Sequence, residues 1–427
     1  MRILMLAQFY APDIGGEERH VQDLSHELVK RGHQVAVATI YHPQRAKFEN
    51  DRGVRVHRIR STMSRIGRLY QENGRLHAPS FPDPELAIEL WKVIERERPD
   101  VIHAHNWMFY SLLPYRIWNH IPTILTLHDY SLVCAKKRLM YRGEPCEGPE
   151  LIKCLQCASN HYGILKGTTT VVTMNALKPA QVKSVDMFLA VSRATAIGNE
   201  LAGSGLPYQV IPNFVPDDIQ ETDRDDASDP RLAQLPTDGY LLFVGDMSQD
   251  KGIEILLKAY AGLKDVPSLV LIGRSYGALS NLPSNVIYMG SWPHELIMEA
   301  WRRCSIALAP SIWPEPFGIV AIEAMSCSRP VIASRIGGLI DIVEDGVSGF
   351  LIPPGDVAAL QSAIRTLVDN PELRETMGMS AKMRVNRFKA RSIVPQIEHV
   401  YGELIKVKRV PKKIRLIDDQ ETGVIKD

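Results

Sequence analysis

Short apolar runs alternate with longer amphipathic stretches along most of the chain, and this alternation limits the possible folds more than any other feature. In the first half, runs of strand length rich in Val, Ile, Leu and Thr occupy residues 3–9, 34–40, 54–59, 101–106 and 123–128. Between two of them, residues 17–31 have the spacing of a helix with Val21, Leu24 and Leu28 on one face. Strands that are apolar throughout are typical of a parallel sheet covered by helices on both faces.

A second series of the same kind starts at Tyr240, with runs at residues 241–245, 269–273, 286–290, 306–310 and 331–334. The sequence therefore predicts an α/β protein with two Rossmann-like, doubly wound domains. The length of 427 residues agrees with this, since a domain usually has roughly 100–200 residues. We expect the first domain over residues 1–213, a linker over 214–238 and the second domain over 239–389.

The segments outside the two sheets differ in composition. Residues 214–230 contain seven acids and one base, and they include Pro216 and Pro230, as expected for a solvated linker. A last helix, at about 390–408, follows the second sheet, and we expect it to return to the first domain. The segment 409–427 is a basic and polar tail.

Composition excludes several classes of protein. Hydrophobic residues make up 45% and charged residues 23% of the chain, which is the mixture of a globular enzyme. The net charge is only +1, so no overall electrostatic attraction to nucleic acid is expected. No apolar run reaches the ~18–20 residues of a membrane span, and the apolar start is too short for a signal peptide. The expected location is the cytoplasm.

Open α/β sheets bind ligands at the carboxyl ends of their strands, so the loops after strands are the first candidates for a ligand site. Gly15 and Gly16 follow the first strand and precede a helix, where backbone amides and the helix N-terminus favour an anion. A plain tight turn is the alternative. The loop lacks the GxGxxG pattern of dinucleotide-binding proteins, which weakens an interpretation as a nicotinamide or flavin site.

The second domain contains the most informative group of residues. Glu315 lies in a proline-bounded loop after the strand at 306–310, and Glu323 follows eight residues later on the next helix. The amides of Phe317, Gly318 and Ile319 open that helix. Carboxylates that bind hydroxyls, together with amides that bind phosphate, could hold a sugar, a phosphate and a ribose in sequence. The alternative is two acids without a ligand.

Glu315 and Glu323 match the Glu-x7-Glu motif of glycosyltransferase family 4, and the chain resembles that family over about residues 1–400. Other similar segments are Val244-Gly245, Lys251-Gly252, Pro330–334, Gly337-Gly338, Asp345-Gly346, 349–356, Gly15-Gly16, 31–33, 100–105 and 126–129. The resemblance implies a retaining enzyme of GT-B architecture, in which two Rossmann-like domains face each other across a cleft that closes by a hinge motion.

The resemblance also implies residue roles. Glu323 would bind the ribose of a nucleotide donor, Glu315 the hydroxyls of the donor sugar, and Lys251 the diphosphate. His128 would face the donor sugar or the leaving oxygen. Many family members have an arginine where this chain has Asp246, so Lys251 and backbone amides must suffice, or Arg274 must compensate.

No metal cofactor is expected for catalysis, because the chain shows no clear counterpart of the acidic pair that holds Mg²⁺ in other transferases. His103 and His105 alternate along a strand and should face opposite sides of the sheet. Of the two, His105 lies nearer the strand end and is the candidate on the acceptor side. The alternative is that both histidines are packing residues.

Four of the six cysteines fall within residues 134–160, at Cys134, Cys146, Cys154 and Cys157. Disulfides are unfavoured in a reducing cytoplasm, and a Cys-x2-Cys pair with two further thiols is typical of a structural zinc site. The segment has little periodic apolar pattern, so a metal could replace a core. Unligated buried thiols are the alternative.

Residues 52–75 contain seven arginines and one acid. Ile66, Leu69 and Tyr70 have the spacing of a short amphipathic face. Such a segment could bind an anionic membrane surface or an anionic acceptor, and related enzymes with lipid-linked acceptors carry basic faces in the first domain. A solvated loop is the alternative.

Together these features predict a retaining glycosyltransferase that moves a sugar from a UDP- or GDP-linked donor to a hydroxyl of a carbohydrate or lipid-linked acceptor. The expected context is synthesis of a cell-surface polysaccharide or glycolipid, with the enzyme in the cytoplasm or at the inner face of the membrane. Two other classes stay open: a GT-B epimerase or phosphorylase, and a non-catalytic subunit that binds nucleotide sugars.

Overall fold

The computed structural model describes residues 1–11, 15–66, 71–72, 75–219, 229–275, 277 and 282–409. The strands of the first part are β1 (Arg2–Leu6), β2 (Gln34–Ile40), β3 (Phe48–Asp51), β4 (Val54–Ile59), β5 (Gln71–Glu72), β6 (Arg75–Leu76), β7 (Val101–Ala104), β8 (Thr123–Leu127), β9 (Met140–Tyr141), β10 (Glu144–Pro145), β11 (Met187–Ala190) and β12 (Tyr208–Val210). Eight of them form one sheet in the order β12-β11-β8-β7-β1-β2-β4-β3, and β5-β6 and β9-β10 form two small antiparallel pairs.

The centre of this sheet is parallel and apolar. In β1, Leu4 pairs with Ala36 of β2 on one side and with Ile102 of β7 on the other, and all three are buried. Because both faces are covered, these strands have no polar alternation, and this explains their uninterrupted apolar pattern in the sequence. The edge strand β3 runs antiparallel to its neighbour β4.

The second sheet comprises β13 (Leu241–Val244), β14 (Leu269–Ile272), β15 (Val286–Tyr288), β16 (Ile306–Ala309), β17 (Val331–Ser334) and β18 (Gly349–Ile352). Its order is β15-β14-β13-β16-β17-β18, and all five neighbouring pairs of strands are parallel. The chain moves outward from β13 in one direction and then returns to add β16 on the other side. The carboxyl ends of β13 and β16 therefore form the topological switch point, where such sheets bind ligands.

The helices are α1 (Gly16–Lys30), α2 (Pro84–Glu97), α3 (Leu113–Arg116), α4 (Leu151–Tyr162), α5 (Ile164–Ser184), α6 (Arg193–Gly198), α7 (Ile253–Ala261), α8 (His294–Arg303), α9 (Ile319–Ser326), α10 (Leu339–Ile342), α11 (Val357–Asp369), α12 (Pro371–Val385) and α13 (Ala390–Arg409). Amphipathic helices such as α1 bury one apolar stripe, including Val21, Leu24 and Leu28. In contrast, α9 is buried over most of its length.

Contacts divide the chain into two compact units. One contains Met1–Thr126, Asn175–Phe188 and the chain from Val394 onward, and the other contains Leu127–Met174 and Leu189–Ile393. Tyr130 and Thr195 belong to the second unit, and their hydroxyls donate hydrogen bonds to the carbonyls of Pro314 and Pro316 in the same unit.

The last helix, α13, belongs to the first unit from Val394 onward. Its Glu398 accepts hydrogen bonds from Arg31 Nη1 at 3.1 Å and from His33 Nε2 at 2.7 Å. Residues 220–228 of the expected linker and residues 410–427 of the expected tail lie outside the described part of the chain.

A buried histidine cluster in the first unit corrects one expectation. The rings of His103 and His105 lie only 4.1 Å apart between centroids, so the two side chains do not face opposite sides of the sheet. The reason is that β7 ends at Ala104, and His105 no longer follows the pleat. His103 contacts the Tyr401 hydroxyl at 2.7 Å and the Thr126 hydroxyl at 2.6 Å.

This cluster predicts a pH dependence of stability. Burial lowers the pKa of His20 from 6.5 to about 3, and burial together with the neighbouring His20 does the same for His103. Below pH 6.5 the unfolded chain therefore binds protons that the folded protein does not. As the pH is lowered from 6.5, the free energy of unfolding falls by about 1.4 kcal/mol per pH unit for each histidine.

Urea unfolding at pH 7.5, 6.5 and 5.5 measures this slope. His103→Gln should reduce the slope below pH 6.5, and the matched replacement of the exposed His42 with Gln should leave it as in the wild type. Equal slopes for the wild type and His103→Gln would contradict this account.

Part of the positive charge of the basic stretch at 52–75 is neutralised by ion pairs. Three of its arginines pair with acids of the same unit, in the pairs Arg55–Glu97, Arg58–Glu49 and Arg65–Glu85. The side chains of Ile66, Leu69 and Tyr70 lie outside the described part of the structure, so the amphipathic face stays a prediction. Among the described helices, none combines the length and the apolar character needed to cross a membrane.

Candidate functional site

Two loops meet at the switch point of the second sheet. The loop after β13 leads through a short 3₁₀ helix, Gln249–Lys251, into α7, and the loop after β16 leads through residues 310–318 into α9. Gly252 has φ +74°, and a Cβ there would lie 1.9 Å from the Pro310 carbonyl oxygen. The backbone amide of Ile312 donates to the Asp250 carbonyl at 2.9 Å. Glycine at 252 therefore lets the two loops touch.

This contact brings Lys251 and Glu315 together. Lys251 Nζ donates to Glu315 Oε1 at 2.5 Å, and Ser311 Oγ donates to the same oxygen at 2.8 Å. The ammonium also lies 5.3 Å from the centre of the Trp313 ring. Only 9% of the Glu315 side chain is exposed, compared with 30% of the Lys251 side chain. The pair keeps a buried carboxylate compensated.

Glu323 is the single charged residue of α9, whose other members are apolar or small. Its side chain is 4% exposed, and Oε1 lies 3.0 Å from Nε2 of His294, the first residue of α8. A buried carboxylate in an apolar helix is costly unless it is hydrogen-bonded. The contact with His294 therefore fixes the orientation of Glu323.

The start of α9 has the features of an anion site. Gly318 adopts φ +105°, a conformation that favours glycine, and no side chain caps the helix. The first-turn amides and the helix dipole therefore favour a negative group in front of Phe317, Gly318 and Ile319. Phe317 itself is buried and packs edge-on against Phe388, with 6.0 Å between ring centroids.

Arg274 and Asp246 form an ion pair at the carboxyl ends of β14 and β13. Arg274 Nε lies 3.1 Å from Asp246 Oδ1, and the backbone amide of Met247 donates to the Arg274 carbonyl at 2.7 Å. The two residues follow the neighbouring strands β14 and β13. Asp246, which stands where many family members have an arginine, thus pairs with Arg274, which follows the neighbouring strand β14.

Other predicted site residues, Gly15, Gly16, His105 and His128, lie within the expected first domain, residues 1–213. Gly15 precedes α1, and a Cβ there would lie 2.1 Å from the carboxylate of Glu18. Glu17 and Glu18 occupy the first turn of α1, and two acids there disfavour a second anion. His105 is buried, and the half-buried His128 follows β8 directly.

The four clustered cysteines belong to the second unit and are half-buried free thiols. Cys134 lies in the turn after β8, Cys146 follows the β9–β10 pair, and Cys154 and Cys157 lie one turn apart on α4. In the described part of the chain, no three of these sulfurs lie within 4.8 Å of one another.

Three residues of the site were not expected from the sequence. Ser311 and Trp313 flank Glu315 in its loop, and the loop's composition could have indicated them. His294 lies 29 residues before Glu323, on another helix, and nothing in the linear spacing connects them. Contacts of this kind depend on packing between α8 and α9.

Comparisons with known proteins identify the family to which the chain belongs. The family model described as Glycosyltransferase Family 4 matches residues 14–219, and the model Glycosyl transferases group 1 matches residues 225–384. The phosphatidyl-myo-inositol mannosyltransferase of Mycobacterium leprae is 30% identical over 65% of this chain and 72% of its own length. The D-inositol 3-phosphate glycosyltransferase of Acidothermus cellulolyticus is 27% identical over 97% and 93%.

Solved structures share the fold. Sucrose-phosphate synthase from Thermosynechococcus elongatus has a TM-score of 0.74 with 22% identity and covers 95% of this chain and 99% of its own. HepE of Anabaena, in complex with UDP and glucose, has a TM-score of 0.67 with 21% identity and covers 94% and 99%. The two Rossmann-like α/β domains and the expected GT-B class are therefore confirmed, and the protein is a glycosyltransferase. The chain belongs to glycosyltransferase family 4.

Proposed function

We propose that the protein transfers a sugar, with retention of configuration, from a UDP- or GDP-linked donor to a hydroxyl of a carbohydrate or lipid-linked acceptor. The observation that carries the proposal is the Lys251–Glu315 pair beside the uncapped start of α9. Support also comes from HepE, a protein of the same fold that binds UDP and glucose, and from the relative that is a mannosyltransferase.

Lys251 and Glu315 would exchange partners when a donor binds. Without a donor the two side chains neutralise each other. A diphosphate offers Lys251 a stronger anionic partner, and the Glu315 carboxylate then accepts hydrogen bonds from the sugar hydroxyls while Ser311 still donates to it. The α9 amides would share the diphosphate charge, so the proposed reaction needs no metal cofactor.

Glu323 would bind the ribose through both hydroxyls of its diol. His294 holds Oε1 of this carboxylate, which sets the direction of the group before the donor arrives. A positioned carboxylate loses little side-chain entropy on binding, and this favours affinity.

Retention is assigned without a covalent enzyme intermediate. The acceptor oxygen attacks the anomeric carbon from the face that the diphosphate leaves, the bond to the phosphate oxygen breaks, and the acceptor proton passes to that leaving oxygen. Glu315 keeps the hydrogen bond from Ser311 and would hold the sugar rather than attack it. His128 would contact the sugar or the leaving oxygen.

Product analysis tests the proposed reaction. The purified protein should release UDP or GDP from one of a panel of nucleotide sugars only when an acceptor with a free hydroxyl is present. Proton NMR of the product should show the donor's anomeric configuration. An inverted product would contradict retention, and release of an epimer or a sugar 1-phosphate would favour the epimerase or phosphorylase.

The Asp246–Arg274 pair leads to a prediction about the diphosphate. We expect Arg274, held by Asp246, to supply the cationic contact that arginine at position 246 gives other family members. Arg274→Ala should weaken binding of the nucleoside diphosphate about tenfold, or about 1.4 kcal/mol, and leave binding of the uncharged nucleoside unchanged.

Calorimetry with both ligands measures this difference. Arg391→Ala is the matched control, because Arg391 is an exposed arginine that faces an acid, Asp217, at 3.9 Å. Undiminished diphosphate binding by Arg274→Ala would show that the pair with Asp246 has no part in donor binding.

A further inference from the structure

One turn of the cysteine segment contacts both candidate donor loops. The turn spans residues 130–139 and is closed by backbone hydrogen bonds from Cys134 to Tyr130 at 2.8 Å and from Lys137 to Cys134 at 2.9 Å. Its two ends reach the two loops of the site. The Tyr130 hydroxyl donates to the Pro314 carbonyl at 2.8 Å, and Arg138 Nη1 donates to Asp250 Oδ2 at 2.6 Å.

Pro314 and Asp250 directly precede Glu315 and Lys251 in the chain. The position of the turn therefore helps to determine where the carboxylate and the ammonium lie. Gly198 on α6 permits close packing behind the turn, since a Cβ there would lie 2.4 Å from the Tyr130 ring and 3.0 Å from Leu139. Yet Lys137 and Leu139 adopt φ +63° and +51°, a conformation that side chains disfavour. Such a conformation persists only when the surrounding structure stabilises the turn.

Few apolar contacts hold the rest of this segment. On α4, Ala158 is the buried residue, and Leu151 and Ile152 are 58% and 67% exposed. The β9–β10 pair has only two residues in each strand. A segment with so small a core usually depends on a cross-link or a metal.

The four sulfurs lie on three elements that converge. The backbone amide of Cys146 donates to the Leu139 carbonyl at 2.8 Å, and Cys157 Sγ lies 3.8 Å from the Met140 carbonyl oxygen. Cys146 and Cys157 thus approach the end of the turn that contains Cys134. Cys154 lies on the same helix as Cys157, three residues earlier.

The surroundings of two sulfurs support the same grouping. The backbone amides of Lys136, Arg138 and Leu139 hydrogen-bond to the Cys134 sulfur, and Cys146 and Cys157 are neighbours of Cys154. Amide donors around one sulfur would stabilise the negative charge of a metal-bound thiolate.

Charge in the segment agrees with a thiolate cluster. Residues 134–157 contain five basic residues, Lys136, Lys137, Arg138, Arg142 and Lys153, and three acids, Glu144, Glu147 and Glu150. The excess of two positive charges would balance a Zn²⁺ ion with four thiolates, which has a net charge of −2.

We propose that Cys134, Cys146, Cys154 and Cys157 bind one Zn²⁺ ion, and that this ion fixes the 130–139 turn and through it the loops of Glu315 and Lys251. Binding draws the sulfurs to about 3.8 Å from one another, as a tetrahedron with Zn–S bonds of about 2.3 Å requires. The structural part of this inference stands by itself, and the effect on Glu315 and Lys251 rests on the proposed function.

Metal analysis of the full chain, purified without added metal or chelator, tests the ion. We expect about one zinc per chain, lost in Cys154→Ser and Cys157→Ser and kept in the matched control Cys327→Ser, whose sulfur is remote in sequence. In native wild type, iodoacetamide should modify the four thiols only after chelation, a readout that does not require a folded variant. Wild-type protein that contains no zinc would overturn the proposal. Its four thiols would then be free or paired in disulfides such as Cys134–Cys157 or Cys146–Cys154.

Two variants of the turn test its connection to the donor loops. Arg138→Gln and Tyr130→Phe remove the contacts with Asp250 and Pro314 but no sulfur. Each should keep one zinc and the thermal stability of the segment, and turnover should fall by about tenfold. Full turnover in both would overturn the connection. Protein that contains zinc but binds no nucleotide would contradict the proposed function and leave the zinc site standing.

Discussion

Glu315→Ala is expected to lower turnover by about 30- to 1000-fold, because it removes the contacts that orient the sugar while the bond to the diphosphate breaks. Loss of one such electrostatic contact costs roughly 2–4 kcal/mol in the transition state. Binding of the free nucleoside diphosphate should not weaken, since the substitution also releases Lys251 from its 2.5 Å contact with Glu315.

Steady-state kinetics and calorimetry on the same preparation separate the two effects. Glu315→Gln keeps an oxygen acceptor without the charge and should retain part of the turnover. Glu254→Ala changes an exposed acid at the start of α7 and serves as the matched control. A variant of Glu315 with normal turnover, or one that mainly loses nucleotide affinity, would contradict the role assigned to this residue.

Lys251→Ala is expected to lower both nucleotide affinity and turnover, because its charge meets a diphosphate that becomes more negative as it leaves. A combined loss of about 30- to 1000-fold in kcat/KM corresponds to roughly 2–4 kcal/mol. The variant also leaves the buried Glu315 without its cation. Unfolding should therefore occur at a lower temperature than in the wild type, and Lys251→Ala combined with Glu315→Ala should recover part of that loss.

Lys258→Ala, on the exposed side of α7, is the control for removal of one positive charge. If Lys251→Ala kept full affinity and full turnover, the lysine would have no contact with the diphosphate. Equal thermal stability of the single and double variants would show that the pair with Glu315 does not stabilise the fold.

The apolar runs of the sequence predicted the sheets well, since parallel strands that are buried on both faces consist mainly of apolar residues. The prediction of a loop acid at 315 and a helix acid at 323 followed from the same logic, as these residues come after β16. Their partners depended on packing. Ser311 and Lys251 meet Glu315 because Gly252 lets two loops touch, and His294 meets Glu323 because α8 packs beside α9.

One expectation differed from the structure for a local reason. The strand with His103 ends one residue before His105, so the alternation on which the prediction depended does not extend to it. The acid at position 246 made Arg274 one of two candidate replacements for the missing cation, but the sequence could not show that Arg274 pairs with Asp246 across neighbouring strands. Pairings of this kind become visible only when the strand order is known.

The central claim is that the loops after β13 and β16 and the helix α9 bind a nucleoside diphosphate, with Glu323 on its ribose. Titration of the wild type and of Glu323→Ala with UDP and with GDP tests it most directly. We predict that the wild type binds one equivalent of one of the two, and that Glu323→Ala binds it at least about tenfold more weakly, because hydrogen bonds to a charged group contribute about 1.5–3 kcal/mol. Glu323→Ala that binds the nucleotide as tightly as the wild type would contradict the claim.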